Sequence, residues 1–233
     1  MSSQISRSNA LNTIPEKKLL EYISNINNSD LPIEKKQLKL TAINRYAECN
    51  LPVEYWPLTM EKSFHGDPNL LNKYNEYVSD LKDSYIKGNS ICFAGPHGRG
   101  KTLATVCILK KCCQKGFSCL YTTLSDIVSV MTQGPLDEKY AAKRELVMVD
   151  FLAIEEFDNR YINSDKAADL YAQSLEGVFR TRSQNKLPTL MSTNSPNVVE
   201  SFNGPLKIAI DSLMSGYIKI FPVFGEDYRK LNK

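Results

Sequence analysis

The chain has 233 residues, 42% hydrophobic and 24% charged, with a formal net charge of +3. That length suits one α/β domain with a sizeable core and a small appendage, and the mild charge, with no dense Lys/Arg run, permits nucleic-acid contact without demanding it. No apolar stretch reaches the roughly eighteen residues of a membrane span, and the polar segment Met1 to Asn12 does not read as an export signal, so the expectation is a soluble, intracellular protein.

Taken in chain order, Thr13-Ile14-Pro15-Glu16 has the form of a capping box and opens a helix with Leu19, Leu20, Ile23 and Ile26 on one face. Asn27-Asn28-Ser29-Asp30 breaks it, and a second helix from about Pro32 aligns Leu38, Ala42, Tyr46 and Cys49. Two short amphipathic helices bury little alone, so this hairpin, residues 1–50, is expected to dock on the rest of the chain or on a partner protein. Asn50-Leu51-Pro52-Val53-Glu54-Tyr55-Trp56-Pro57 is a stiff aromatic connector and marks the boundary to a second domain, residues 51–233. Leu70 to Lys87 reads as a helix that leads to a Gly88-Asn89 turn and a short buried strand, Ser90 to Ala94.

Next comes Gly95-Pro96-His97-Gly98-Arg99-Gly100-Lys101-Thr102, the G-x-x-x-x-G-K-T spacing of a Walker A loop. Its glycines let successive backbone N–H groups turn inward around phosphate oxygens, and the helix that follows adds its positive dipole end. Lys101 is placed to reach the β- and γ-phosphates of ATP, and the Thr102 hydroxyl to ligate Mg²⁺. Strand, loop and helix arrive in the order that makes the motif meaningful.

Phe117 to Thr123 reads as a second strand, Ser125 to Met131 as a helix with Ser125 as cap, and Asp137 to about Glu145 as another helix. The apolar run Leu146 to Ile154 closes on Glu155-Glu156. Glu155 is a candidate Mg²⁺ ligand, with one methylene more than the usual Asp, and Glu156 a candidate base for the attacking water. Asp150 is a rival for the first role, but Phe151 follows it, so no second acid does. Asp165 to Arg182 reads as a helix, Leu187 to Ser192 as a strand, Pro205 to Met214 as a last helix and Tyr217 to Phe221 as a last strand. Asn194, after its strand, is placed to hold a water or touch the γ-phosphate. Alternating strands and helices predict a parallel sheet with helices on both faces, its ligand at the carboxyl ends of the strands. The six cysteines form no C-x-x-C pair and read as small buried thiols.

Together these blocks resemble the DnaC/IstB group of AAA+ ATPases, helicase loaders and transposition helpers, over roughly residues 50 to 230. The Leu-Pro connector, the Walker A loop, Asp150-Phe151-Leu152-Ala153-Ile154-Glu155-Glu156, an Arg182 ahead of Leu187-Pro188-Thr189-Leu190-Met191-Ser192-Thr193-Asn194, and Asp227-Tyr228-Arg229 carry the likeness. It implies a P-loop AAA+ fold, Glu155 in the Walker B position, Asn194 as sensor 1, and Arg229 as a sensor 2 arginine reaching the γ-phosphate. It also implies a cytoplasmic protein of a bacterial or phage-infected cell that grips a hexameric replicative helicase through the hairpin, touches single-stranded DNA and self-assembles. Tyr121, Lys139, Tyr140, Lys143 and Arg144 are candidates for the strand contact. The family's trans-acting arginine follows an Asp, and here the pair reads Asp211-Ser212. Arg180, Arg182 and Lys207 are possible substitutes, and the expectation is tight ATP·Mg²⁺ binding with weak or partner-dependent hydrolysis. A transposition-helper ATPase on duplex DNA, a P-loop small-molecule kinase and a non-hydrolysing nucleotide-binding adaptor remain alternatives.

Overall fold

The computed structural model describes residue 11 and residues 14–158, 165–202 and 204–227. Thr13 of the expected capping box and Arg229 lie outside them. Helix α1 (Glu16–Asn27) and helix α2 (Ile33–Glu48) form the hairpin, each starting just after a proline that presets the first turn. The inward faces differ from the expected stripes. Leu20 and Leu38 are exposed, while Ile26, Ile43 and Tyr46 are buried and Leu19, Tyr22 and Leu40 pack beside them. Trp56 of the connector explains the rotation: its ring meets Tyr22 edge-on at 5.1 Å and lies 6.5 Å from Tyr46, so the hairpin turns its aromatic side inward.

A short helix α3 (Met60–Ser63) precedes α4 (Pro68–Ser79) and α5 (Leu81–Lys87). The single helix expected over 70–87 is therefore two, broken at Asp80, whose carboxylate accepts the Asp83 N–H at 2.8 Å and caps α5.

Five parallel strands follow: β1 (Ser90–Ala94), β2 (Cys119–Thr123), β3 (Phe151–Glu155), β4 (Thr189–Thr193) and β5 (Ile218–Pro222), in the order β2-β3-β4-β1-β5. Helices α6 (Lys101–Gln114), α7 (Leu124–Gln133), α8 (Leu136–Met148), α9 (Asp165–Gln184) and α10 (Gly204–Gly216) make the crossovers. The expected parallel sheet flanked by helices is what forms, with two hydrophobic clusters that contain opposite-facing sheet residues: Ile91 and Phe93 in one, Cys92 and Ala94 in the other. The first cluster is continuous with the hairpin residues Ile26, Ile43 and Tyr46.

Three local expectations are corrected. Helix α7 starts before Ser125, because the Thr123 hydroxyl accepts the Asp126 N–H while the Asp126 carboxylate accepts from the Thr123 backbone, a complete capping box two residues earlier. The apolar run 146–154 is not one strand: its first residues finish α8, and the chain turns at Val149-Asp150. Arg182 is fully buried and donates five hydrogen bonds, to Thr189 Oγ1 and to the carbonyls of Leu146, Val149, Asp150 and Pro188. It ties the end of α8 to the starts of β3 and β4 and cannot act on a neighbouring subunit.

Candidate nucleotide-binding site

The loop between β1 and α6 sits at the carboxyl ends of the strands. The Gly95 N–H donates to Thr193 O at 3.2 Å and the Val223 N–H to Ala94 O at 2.7 Å, which fixes the loop between β4 and the chain after β5. Gly95 is needed for that approach, since a Cβ there would stand 2.2 Å from Val223 O. Gly98 has φ +72°, and a Cβ on it would meet the Asp227 carboxylate at 1.9 Å. The loop thus already lies against an anionic group from the Asp227-Tyr228-Arg229 segment.

Lys101 is buried and turns back over the loop. Its Nζ donates to Gly95 O and Pro96 O at 2.7 Å each and to Asn194 Oδ1 at 3.0 Å. Thr102 Oγ1 donates to Glu155 Oε2 at 2.7 Å, and Ser192 Oγ donates to the same oxygen at 2.5 Å. Strand β4 lies between β1 and β3, so Ser192 is the bridge by which the loop's hydroxyl and the β3 carboxylate share one position. Glu155 is 2% exposed, and its other oxygen, Oε1, is buried with no hydrogen-bond partner among the described residues. Burial holds this carboxyl above the ordinary carboxylate range, with the Ser192, Thr102 and Thr105 hydroxyls and the Lys101 ammonium opposing the rise. A buried carboxyl with one oxygen on a threonine hydroxyl and the other unpartnered, at the end of a phosphate-type loop, fits a divalent cation.

Glu156 follows at φ +53°, a conformation unusual for a residue with a Cβ, and is exposed. Adjacent acids at a strand end would ordinarily point to opposite sides; here the backbone twist helps separate a buried Glu155 from a solvent-facing Glu156. Asp150 belongs to the other end of β3, where its carboxylate accepts from Ser118 N and Ser118 Oγ at 2.8 Å each. The cavity is about 350 Å³ and is lined by His97, Gly98, Arg99 and Gly100 of the loop, by Glu156, and by Tyr55 and Phe64.

Tyr55, Phe64 and Ser192 were not singled out from the sequence. The aromatic connector carried a signal for Tyr55, and Ser192 stood two residues before Asn194, but only the fold folds Phe64 over Gly100. Burial, with help from the Glu54 and Glu155 carboxylates, pushes the Tyr55 hydroxyl up to about 12. Tyr121 is buried on β2 and unavailable for nucleic acid, whereas Tyr140, Lys143 and Arg144 are exposed on α8. Ser212 is exposed on α10 and shares a pocket with Arg180, which pairs with Glu176. Lys207 pairs with Glu200 at 2.8 Å.

A parallel sheet in this strand order, with a Walker A loop after β1, an acid at the end of β3 and a polar amide after β4, defines a P-loop protein of the AAA+ class. The model of the IstB-like ATP binding protein family matches residues 73–190, just over half of the chain, and the chain belongs to that family. No curated protein matches it in sequence. Among solved structures, DnaI is similar with TM-score 0.61 at 13% identity, over 76% of this chain and 93% of that one. The DnaC helicase loader is similar with TM-score 0.54 at 17% identity, over 73% and 99%. AMPPCP-bound DnaA from Aquifex aeolicus gives TM-score 0.54 at 17% identity, over 71% of this chain and 49% of that one, so the chain spans about half of the DnaA it matches. At such identities the likeness is one of fold.

Proposed function

We propose that this protein binds ATP·Mg²⁺ and acts as a loader that engages a hexameric replicative helicase and delivers it to single-stranded DNA, with weak or partner-dependent hydrolysis. The observation that carries the nucleotide reading is the convergence of Lys101, Asn194, Thr102, Ser192 and Glu155 within hydrogen-bond reach at one end of the sheet. In this reading the backbone of residues 95–100 and Lys101 hold the β- and γ-phosphates, Thr102 and Glu155 hold Mg²⁺, and Arg229 reaches the γ-phosphate. Bound Mg²⁺ neutralises phosphate charge. Glu156 orients the attacking water and takes its proton, and Asn194, now paired with Lys101, turns to that water or to the γ-phosphate.

Slow hydrolysis is supported by Ser212 in place of an arginine and by the extra methylene of Glu155. Arg180, beside Ser212, is the described residue best placed to supply the missing charge to a second copy. Loading is supported by the likeness to DnaI and the DnaC helicase loader, and by Ile33 and Leu38, which stand 74% and 71% exposed on α2 where a partner helix could cover them. The same features that slow hydrolysis favour a non-hydrolysing adaptor as the second reading. Pull-down of a hexameric helicase by the full chain tests loading: capture that is lost in Ile33→Ser/Leu38→Ser, with folding intact, supports it, and equal capture by that variant overturns the hairpin's role. Residual hydrolysis that disappears in Arg180→Ala without loss of ATP binding separates the loader from the adaptor.

A further inference from the structure

Three of the six cysteines, carried by three different elements, come to one place. Cys49 ends α2, Cys113 lies in the last turn of α6, and Cys119 opens β2. All are buried. The Sγ atoms of Cys49, Cys113 and Cys119 all lie within 4.8 Å of one another, and those of Cys49 and Cys113 are 2.9 Å apart.

Backbone hydrogen bonds hold these residues independently of their sulfurs. The Tyr121 N–H donates to Cys49 O at 2.9 Å, and Asn50 Nδ2 donates to Tyr121 O at 3.0 Å, so the end of α2 is laced to the free edge of β2. Asn50 adopts φ +56° to make that turn. The Phe117 N–H donates to Cys112 O at 3.1 Å, and Arg45 Nη1 donates to Cys113 O at 3.3 Å. The thiols are therefore presented by three ordered elements rather than by a loop. Thiol groups are weak donors and weak acceptors, and piling them together gains little over aliphatic packing. Around a tetrahedral ion with bonds of about 2.3 Å, thiolate sulfurs stand about 3.8 Å apart, between the 2.9 Å of the Cys49–Cys113 pair and the 4.8 Å that bounds the cluster.

We propose that Cys49, Cys113 and Cys119 form a structural site for a thiophilic divalent ion, Zn²⁺, and that the ion fastens the N-terminal hairpin to the ATP-binding core. Soft sulfur ligands without histidine or carboxylate select zinc over magnesium or calcium, and their complete burial suits a structural rather than a catalytic ion. Each thiol releases a proton as its sulfur–metal bond forms, and no oxidant or reductant is involved. The site is separate from the Walker loop and does not depend on the nucleotide reading.

The test uses the full chain, purified without chelator from zinc-supplemented culture. Elemental analysis is expected to give about one zinc per chain, close to none in Cys113→Ser or Cys119→Ser, and an unchanged content in Cys107→Ser, whose sulfur lies outside the cluster. Because the serine variants can lose the fold, the wild-type protein is also titrated with Co²⁺ after zinc removal. Intense thiolate-to-cobalt absorption with the visible bands of a tetrahedral ion, bleached by stoichiometric Zn²⁺, is the expected spectrum. Wild-type protein that carries no zinc and develops no such bands overturns the proposal, whether its intact mass then shows free thiols or a Cys49–Cys113 disulfide.

Discussion

Lys101 Nζ has three N–H donors, and Gly95 O, Pro96 O and Asn194 Oδ1 accept from it. A triphosphate in the loop would take over some of those donors and offer full negative charge in return, a charge-assisted exchange worth about 1.5–3 kcal/mol. Lys101→Ala is therefore expected to weaken ATP binding by about tenfold to a hundredfold, measured by calorimetric titration with the fold checked by circular dichroism. Unaltered affinity would remove the nucleotide reading. Glu155 gives a second prediction at the same scale. Its carboxyl is raised by burial above the ordinary 4.5, so the folded state holds the proton more tightly than the unfolded chain. The stability this contributes is complete below the unfolded value and is lost as pH rises through the folded one. Without nucleotide or metal, Glu155→Gln should flatten that fall and leave the protein at least as stable at neutral pH, while Mg²⁺-dependent ATP binding drops. Thermal melts between pH 4 and 8 with chelator present check the first half, and binding with and without Mg²⁺ the second.

Among the elements, the joint between α8, β3 and β4 rests on one guanidinium. Burial draws Arg182 down to about 10, yet it stays cationic at neutral pH because its N–H groups all face oxygen atoms. Removing it leaves several carbonyls unpaired in the interior, so Arg182→Met is expected to cost about 3–5 kcal/mol. In a domain of this size that lowers Tm by roughly 6–20 °C. Calorimetric unfolding measures it; a shift of only a degree or two would show that the joint is held by apolar packing alone. The cap of α7 is a smaller device of the same kind: Thr123→Ala should cost about 1 kcal/mol, read from urea midpoints.

At the scale of the whole molecule, the hairpin and the ATP-binding part share one hydrophobic cluster, with Trp56 between them. The Trp56 indole N–H donates to Leu51 O at 2.8 Å, and its ring faces Tyr22 and Tyr46. Lys110, buried on α6, donates to the carbonyls of Tyr55, Trp56 and Leu58 and fixes the connector from the other side. Trp56→Ala should therefore cost about 3–5 kcal/mol and speed amide exchange in α1 and α2 together with α6. Exchange that speeds up in the hairpin alone would mean the two parts unfold separately.

The sequence by itself located the Walker A loop after β1, the alternation of strands and helices, the acidic pair after β3 and Asn194 after β4, because each depends on local signals: glycine spacing, the period of apolar residues and the residues that follow a strand. It also located the Tyr-Trp-Pro connector, though not the aromatic side the hairpin turns toward it. Tertiary structure alone decided what depends on which distant segments meet. Arg182 looked like a candidate for trans action and is instead enclosed by carbonyls from three elements; Ser192 meets Glu155 because β4 is inserted between β1 and β3. The cysteines, without a pairwise motif, converge only when α2, α6 and β2 are brought side by side. Short-range chemistry is written in neighbouring residues, whereas burial and partnership across tens of residues are fixed by the packing of the sheet.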